Sequence, residues 1–333
     1  MRNKRADRII SLFVALFLLT FLASGCASSD GIGEIAVIVK ATDSDFWRSV
    51  SDGVKAASTE YNVTTTFTGP DNEEDYLTQN SMIVSAVARG VDAIVVSAID
   101  YELSADAIDA AAAAGVRVIM IDSGVDSDKT ECFIGTDNSE AGRLAGEAAM
   151  NLFPGGKAVI GLVNCESEAE NLVERERALK AFIAENNGTI AGEVSVPSDT
   201  ESARLGALEL ISEHPEINVL VGFNEWSTLG IGFAIREKGL SESVSAVGFD
   251  NNIISVGMLE TGEMDVLLVQ NPFAIGYLGV QCAVELLSGN RVSELTQTAT
   301  SVITKDNMFD SGNQRILFRF GYVKLRMRKV RRP

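Results

Sequence analysis

Histidine is nearly missing from this sequence: 333 residues carry one, His214. Most metal sites and most imidazole-based acid–base or nucleophilic chemistry are excluded with it, while an enzyme built on carboxylates or lysine stays open. Cysteine is scarce too. After Cys26 only Cys132, Cys165 and Cys282 remain, odd in number and without a CxxC pair, so a metal site or disulfide framework has no support. Buried free thiols are expected, with one optional disulfide in an oxidising compartment. Beyond the first 25 residues no apolar run is long enough to span a membrane. Basic residues are few in the body: residues 26–320 hold 18 against 45 acidic ones, a net of −27. Such a body repels nucleic acid, so no DNA or RNA partner is expected, and the charge reads as solubility. Neither metal nor cofactor is expected.

What is present begins with an address. A basic head (Arg2, Lys4, Arg5, Arg8) precedes an apolar run over 9–22 and then Ala23-Ser24-Gly25-Cys26. This is the layout of a secretory signal over 1–25. The small residues before Cys26 resemble a bacterial lipobox, which makes Cys26 the candidate lipidation site and 26–33 a flexible tether. An uncleaved anchor, or plain secretion with an incidental cysteine, is the alternative. With several acyl chains the body would stay at the outer face of the membrane, giving an extracytoplasmic, lipid-anchored protein.

From residue 34 onward, β-branched runs alternate with helix-length segments. The runs lie at 35–39, 63–67, 93–96, 116–121, 158–163, 190–194, 219–223 and 244–249. Helices are predicted over 44–60, 73–89, 102–114, 168–185, 201–213 and 227–238, with Gly90, Gly115, Gly188 and Gly239 just past helix ends. Continuous apolar runs between amphipathic stretches predict parallel strands covered on both faces. The order repeats: the run ending at Ser97 has a counterpart ending at Asn224, and the run ending at Asp122 one ending at Asp250. The fold class is therefore α/β, with two similar, doubly wound parallel-sheet lobes. Ligands of open α/β sheets bind outside the carboxyl ends of the strands, so facing lobes would form a cleft lined by Ser97, Asp122, Asn224 and Asp250.

At these residues the chain resembles the type 1 periplasmic binding protein family, over residues 34–320. Phe46 and Trp47, after the first strand, match the family's aromatic pair, and a ring offers its flat face to sugar C–H groups. Asp122, Arg175, Asn224, Asp250 and Gln270 match its polar ligand-binding positions in order. Arg177, two residues past Arg175, would face elsewhere on the helix. Three positions depart from the ribose-binding members: Lys40, Ser44 and Ser123 stand where those have a small polar residue, an asparagine and an arginine. Lys40 either pairs with Asp122 or contacts the ligand, and Trp226 is either a third aromatic wall or helix packing.

The resemblance implies lobes of 34–136 plus 271–299 and 137–270 plus 300–320, joined by a three-segment hinge. It implies a monomer that captures a sugar or related polyol and delivers it to an ABC permease, rather than an enzyme. A sensory receptor of the same fold, signalling to a membrane kinase, is the alternative. The basic tail over 321–333 is assigned no function.

Overall fold

The structure is a computed structural model that describes residues 33–153 and 157–318. The signal segment, Cys26, the tether up to residue 32 and the basic tail lie outside the described residues. Within them no helix is long and apolar enough to cross a membrane.

In chain order the first half runs β1 (Glu34–Ile38), α1 (Asp45–Tyr61), β2 (Thr64–Thr68), α2 (Tyr76–Arg89), β3 (Ala93–Val96), α3 (Ala105–Ala113), β4 (Arg117–Ile121) and β5 (Cys132–Thr136). The second runs α4 (Asn138–Asn151), β6 (Val159–Cys165), α5 (Glu170–Glu185), β7 (Thr189–Val196), α6 (Thr200–Glu213), β8 (Val219–Gly222), α7 (Glu225–Lys238), β9 (Ser245–Phe249), α8 (Ile253–Thr261) and β10 (Val266–Val269). The chain closes with α9 (Pro272–Leu287), β11 (Leu295–Thr298), β12 (Ser301–Thr304) and α10 (Ser311–Leu317).

Two six-stranded sheets result, ordered β11-β5-β4-β3-β1-β2 and β12-β10-β9-β8-β6-β7. Each half has the same winding, and every pairing is parallel except β12 on β10. The chain passes between sheets three times, after β5, after β10 and between β11 and β12. The inner strands explain the winding. β3 and β8 are buried along their whole length, which only helices on both faces can achieve. Edge strand β2, Thr-Thr-Thr-Phe-Thr, is half exposed.

Helix starts fall where side chains can cap them. Ser44, Asp75, Asp137, Asp199, Asn224 and Asn252 each accept a backbone N–H of the first turn. The helix expected to begin at residue 73 therefore begins at Tyr76, which leaves Glu73 and Glu74 in a loop. Gly90, Gly115 and Gly239 take the left-handed backbone expected of them, whereas past α5 that conformation falls on Asn187 rather than Gly188.

Two glycines set how closely α1 and α9 pack. A Cβ on Gly53 would lie 2.1 Å from the Phe273 carbonyl oxygen, and one on Gly276 2.1 Å from that of Val50. Backbone meets backbone at both points, and this seats the aromatic start of α1. Cys132, Cys165 and Cys282 are free and buried.

Candidate functional site

The site is assembled from the carboxyl ends of strands in both sheets. Asp122 follows β4 and Asp250 follows β9, each in left-handed backbone at φ 60° and 66°. Aspartate tolerates that region because its short side chain makes local hydrogen bonds. Both carboxylates line one buried cleft between the lobes.

Asp122 is held on one oxygen. Its Oδ2 accepts from Ser97 Oγ (2.9 Å) and Asn171 Nδ2 (3.2 Å) and pairs with Lys40 Nζ at 3.3 Å. Ser97 thus supports Asp122 from the end of β3 without lining the cleft. Among the described residues Asp122 Oδ1 and Asp250 Oδ2 have no hydrogen-bond partner, since Gln270 Nε2 donates to Asp250 Oδ1 (2.7 Å). Gln270 is fixed by Thr136 Oγ1, which donates to its Oε1 at 2.7 Å. Burial pushes the Asp250 carboxyl up to about 7, with Arg175 and Gln270 pulling it back.

Arg175, on the first turns of α5, is 1% exposed. Its Nε donates to Asn138 Oδ1 and its Nη1 to the Phe223 carbonyl, both at 2.9 Å. The guanidinium stacks over the Phe249 ring with Cζ 4.6 Å from the centroid. Nη2 is buried with no partner among the described residues, in a cleft whose wall Arg175 helps form. A buried unpaired donor of this kind is costly, and an acceptor entering the cleft would satisfy it. Burial pulls the guanidinium pKa down, while Asp250, Asp122 and Glu73 push it back. Arg177 is exposed and donates to Ser139 Oγ.

Phe46 and Trp47, on the first turn of α1, form one wall, packed edge to face at 4.9 Å. Ser44 also lines it, with its hydroxyl capping α1 through the Trp47 N–H (3.2 Å). Asn224 lines the opposite side. Its Oδ1 caps α7, and its Nδ2 donates to Cys165 Sγ at 3.1 Å, so much of its amide is already engaged. Trp226 does both things weighed for it: it borders the cleft and packs on the second lobe's core. Ser123, like Ser97, is a sequence candidate that lies outside the cleft wall. It is fully buried, and its hydroxyl has no partner among the described residues. The left-handed turn at Asp122 carries the next residue away from the opening.

Sequence reasoning passed over Glu73, Asn171, Leu172 and Glu225, all of which line the cleft. Asn171 lies one helical turn before Arg175, a spacing that puts both on one face of α5. Glu225 directly follows Asn224. Glu73 sits in the acidic turn Asn72-Glu73-Glu74-Asp75 and has no signal that separates it from a solvated loop residue. Three further carboxylates tie lobe to lobe through backbone N–H groups. Glu225 accepts from the N–H groups of Asp45 (3.3 Å) and Phe46 (3.0 Å), Glu170 from Gly124 (2.7 Å) and Glu74 from Ser198 (2.6 Å).

No three His, Cys, Asp or Glu side chains among the described residues are grouped to hold a metal. The arrangement offers hydrogen-bond acceptors, one unpaired guanidinium donor and flat aromatic faces, which suit binding of a polyhydroxylated ring.

Comparison with known proteins agrees with this geometry. The profile described as "periplasmic binding protein domain" matches residues 35–291. The D-ribose/D-allose-binding protein of Pseudomonas aeruginosa is 28% identical over 301 residues, 87% of this chain and 93% of that protein. Among solved structures, a carbohydrate transporter solute-binding protein from Agrobacterium radiobacter, in complex with D-arabinose, superposes with TM-score 0.84. Its identity is 28%, covering 87% of this chain and all of that one. A sugar transporter from Clostridium phytofermentans is 33% identical with TM-score 0.76, over 82% of this chain and 99% of its own. The chain belongs to the periplasmic binding protein family, in its two-lobed type 1 form, and is a binding protein rather than an enzyme.

Proposed function

We propose that this protein captures a sugar or related polyol between its lobes and hands it to an ABC importer at the outer face of the membrane. The observation that carries the reading is the convergence, in one buried cleft, of open oxygens on Asp122 and Asp250 with the unpartnered Nη2 of Arg175. A polyol matches that set, since each hydroxyl can both donate and accept. Charge-assisted hydrogen bonds of this kind are worth roughly 1.5–3 kcal/mol each. Phe46 and Trp47 supply the ring platform, and Lys40, Ser44, Asn224 and Gln270 complete or brace the wall. The sugar-binding names of the relatives support the same class of ligand. Release would follow opening about the three crossovers. Cys26, once lipidated, would keep the receptor beside its permease.

The test is a thermal-shift screen of ligand-free protein against pentoses, hexoses, polyols, nucleosides and amino acids. A ligand at a hundredfold its Kd stabilises the fold by about 2.7 kcal/mol. A shift with a sugar or polyol is the expected outcome. A shift confined to amino acids or nucleosides would overturn the assignment.

A further inference from the structure

Lys40 is the residue that, from the sequence, invites an acidic ligand. In the fold its ammonium is already committed. Nζ lies 3.3 Å from Asp122 Oδ2 and 3.9 Å from Glu73 Oε2, and donates to Asn171 Oδ1 at 3.2 Å. An ammonium has three N–H donors, and three protein groups surround this one. Glu73 reaches it from the loop before α2, with its other oxygen accepting the Trp47 indole N–H at 2.7 Å. Glu73 is buried, with one oxygen on the indole of Trp47 and the other toward the lysine. Burial pushes its carboxyl up, and Lys40 and the indole pull it back. Around the cleft, carboxylates at Glu73, Asp122, Glu225 and Asp250 face two cations, Lys40 and Arg175.

We infer that Glu73 makes the cleft selective for uncharged sugars by neutralising the lysine that a sugar acid would otherwise use. A carboxylate or phosphate entering here sheds its water and meets more anions than cations, with no free ammonium to repay it. A neutral hydroxyl meets open acceptors and the Arg175 donor. Asp122 cannot supply this selectivity alone, because one of its oxygens faces the ligand. Glu73 also borders the cleft, but its oxygens are turned to Trp47 and Lys40, so it acts on specificity through Lys40. The inference rests on the receptor reading above and narrows its substrate class.

The experiment titrates the full-length protein, by tryptophan fluorescence and calorimetry, with matched pairs: D-ribose and D-ribonate, D-galactose and D-galacturonate, and D-ribose 5-phosphate. For the wild type, the neutral member of the best-binding pair is expected to bind at least about a hundredfold tighter than its acid. In Glu73→Gln the amide oxygen still accepts from Trp47 while Lys40 loses one counter-ion, and the gap should shrink to about tenfold or less. In the double variant Lys40→Gln/Glu73→Gln no cation is released, and the gap should return. An acid binding the wild type as tightly as its neutral partner would overturn the inference and leave the receptor reading intact. So would a Glu73→Gln gap equal to the wild type's, or a double variant that behaves like Glu73→Gln. Failure of every sugar and acid to bind would overturn the receptor reading and this inference together. The wild-type gap needs no substitution and stands as a test by itself.

Discussion

Asp250 leaves β9 in left-handed backbone, and burial pushes its carboxyl from an ordinary 3.8 up to about 7. The native state therefore holds a proton that the unfolded chain has released between about pH 4 and 7. Stability from this group falls as pH rises through that window, and above pH 7 the ionised carboxylate costs on the order of 4 kcal/mol. Asparagine keeps both the shape and the tolerance of positive φ. Asp250→Asn is thus expected to melt higher than wild type at pH 8 and nearly equally at pH 4. Its sugar affinity should drop by about tenfold or more, as one charge-assisted pairing goes. An unchanged affinity would remove Asp250 from the site. Alanine is a poorer probe, since it adds backbone strain to the loss of the carboxylate. At this scale the sequence was readable where a residue ends a strand, as Asp122 and Asp250 do. It was opaque at Glu73, whose role depends on a loop meeting Lys40 and Trp47 across the fold.

Helix α1 holds the aromatic wall, and its seat is the close approach to α9. A methyl group on Gly276 would fall 2.1 Å from the Val50 carbonyl oxygen, a rigid neighbour that cannot rotate aside. Gly276→Ala is expected to cost about 1–3 kcal/mol by forcing the helices apart. Denaturant unfolding should show the lower midpoint, and a midpoint equal to wild type would mean the helices can separate without penalty. The alternation of β-branched runs and amphipathic segments located eight of the strands and six of the helices, because inner strands such as β3 and β8 bury continuous apolar residues and edge strands β2 and β7 still carry β-branched ones. Others escaped for physical reasons. Much of the face that α4 buries is Ala141, Gly142, Ala145, Gly146 and Ala149, small residues that make close packing and little hydrophobic contrast. Strand β11, Leu-Thr-Gln-Thr, is a short edge strand whose pairing to β5 supplies what its side chains do not.

Across the whole molecule, carboxylates of each lobe grip backbone N–H groups of the other. Glu225 sits at the N-terminus of α1, where the helix dipole adds to two hydrogen bonds. Such a contact exists only while the lobes are together, so its loss acts on closure. Glu225→Gln is expected to weaken ligand binding by about five- to thirtyfold, equivalent to 1–2 kcal/mol, through faster release at an unchanged on-rate. Stopped-flow fluorescence separates the two, and a variant slowed only in association would contradict closure as the cause. The repeat of strand order in two halves was legible from the sequence. The closed meeting of the lobes was not, because hydrogen bonds to backbone leave no mark in residue type.

The most direct test of the account is a calorimetric titration of ligand-free wild type and the Asp122→Asn/Asp250→Asn variant with the sugar that gives the largest thermal shift. One site per chain is expected in the wild type, and an affinity reduced at least about a hundredfold in the variant, which should remain folded. Equal affinities in the two proteins would place the ligand outside the cleft and contradict that expectation.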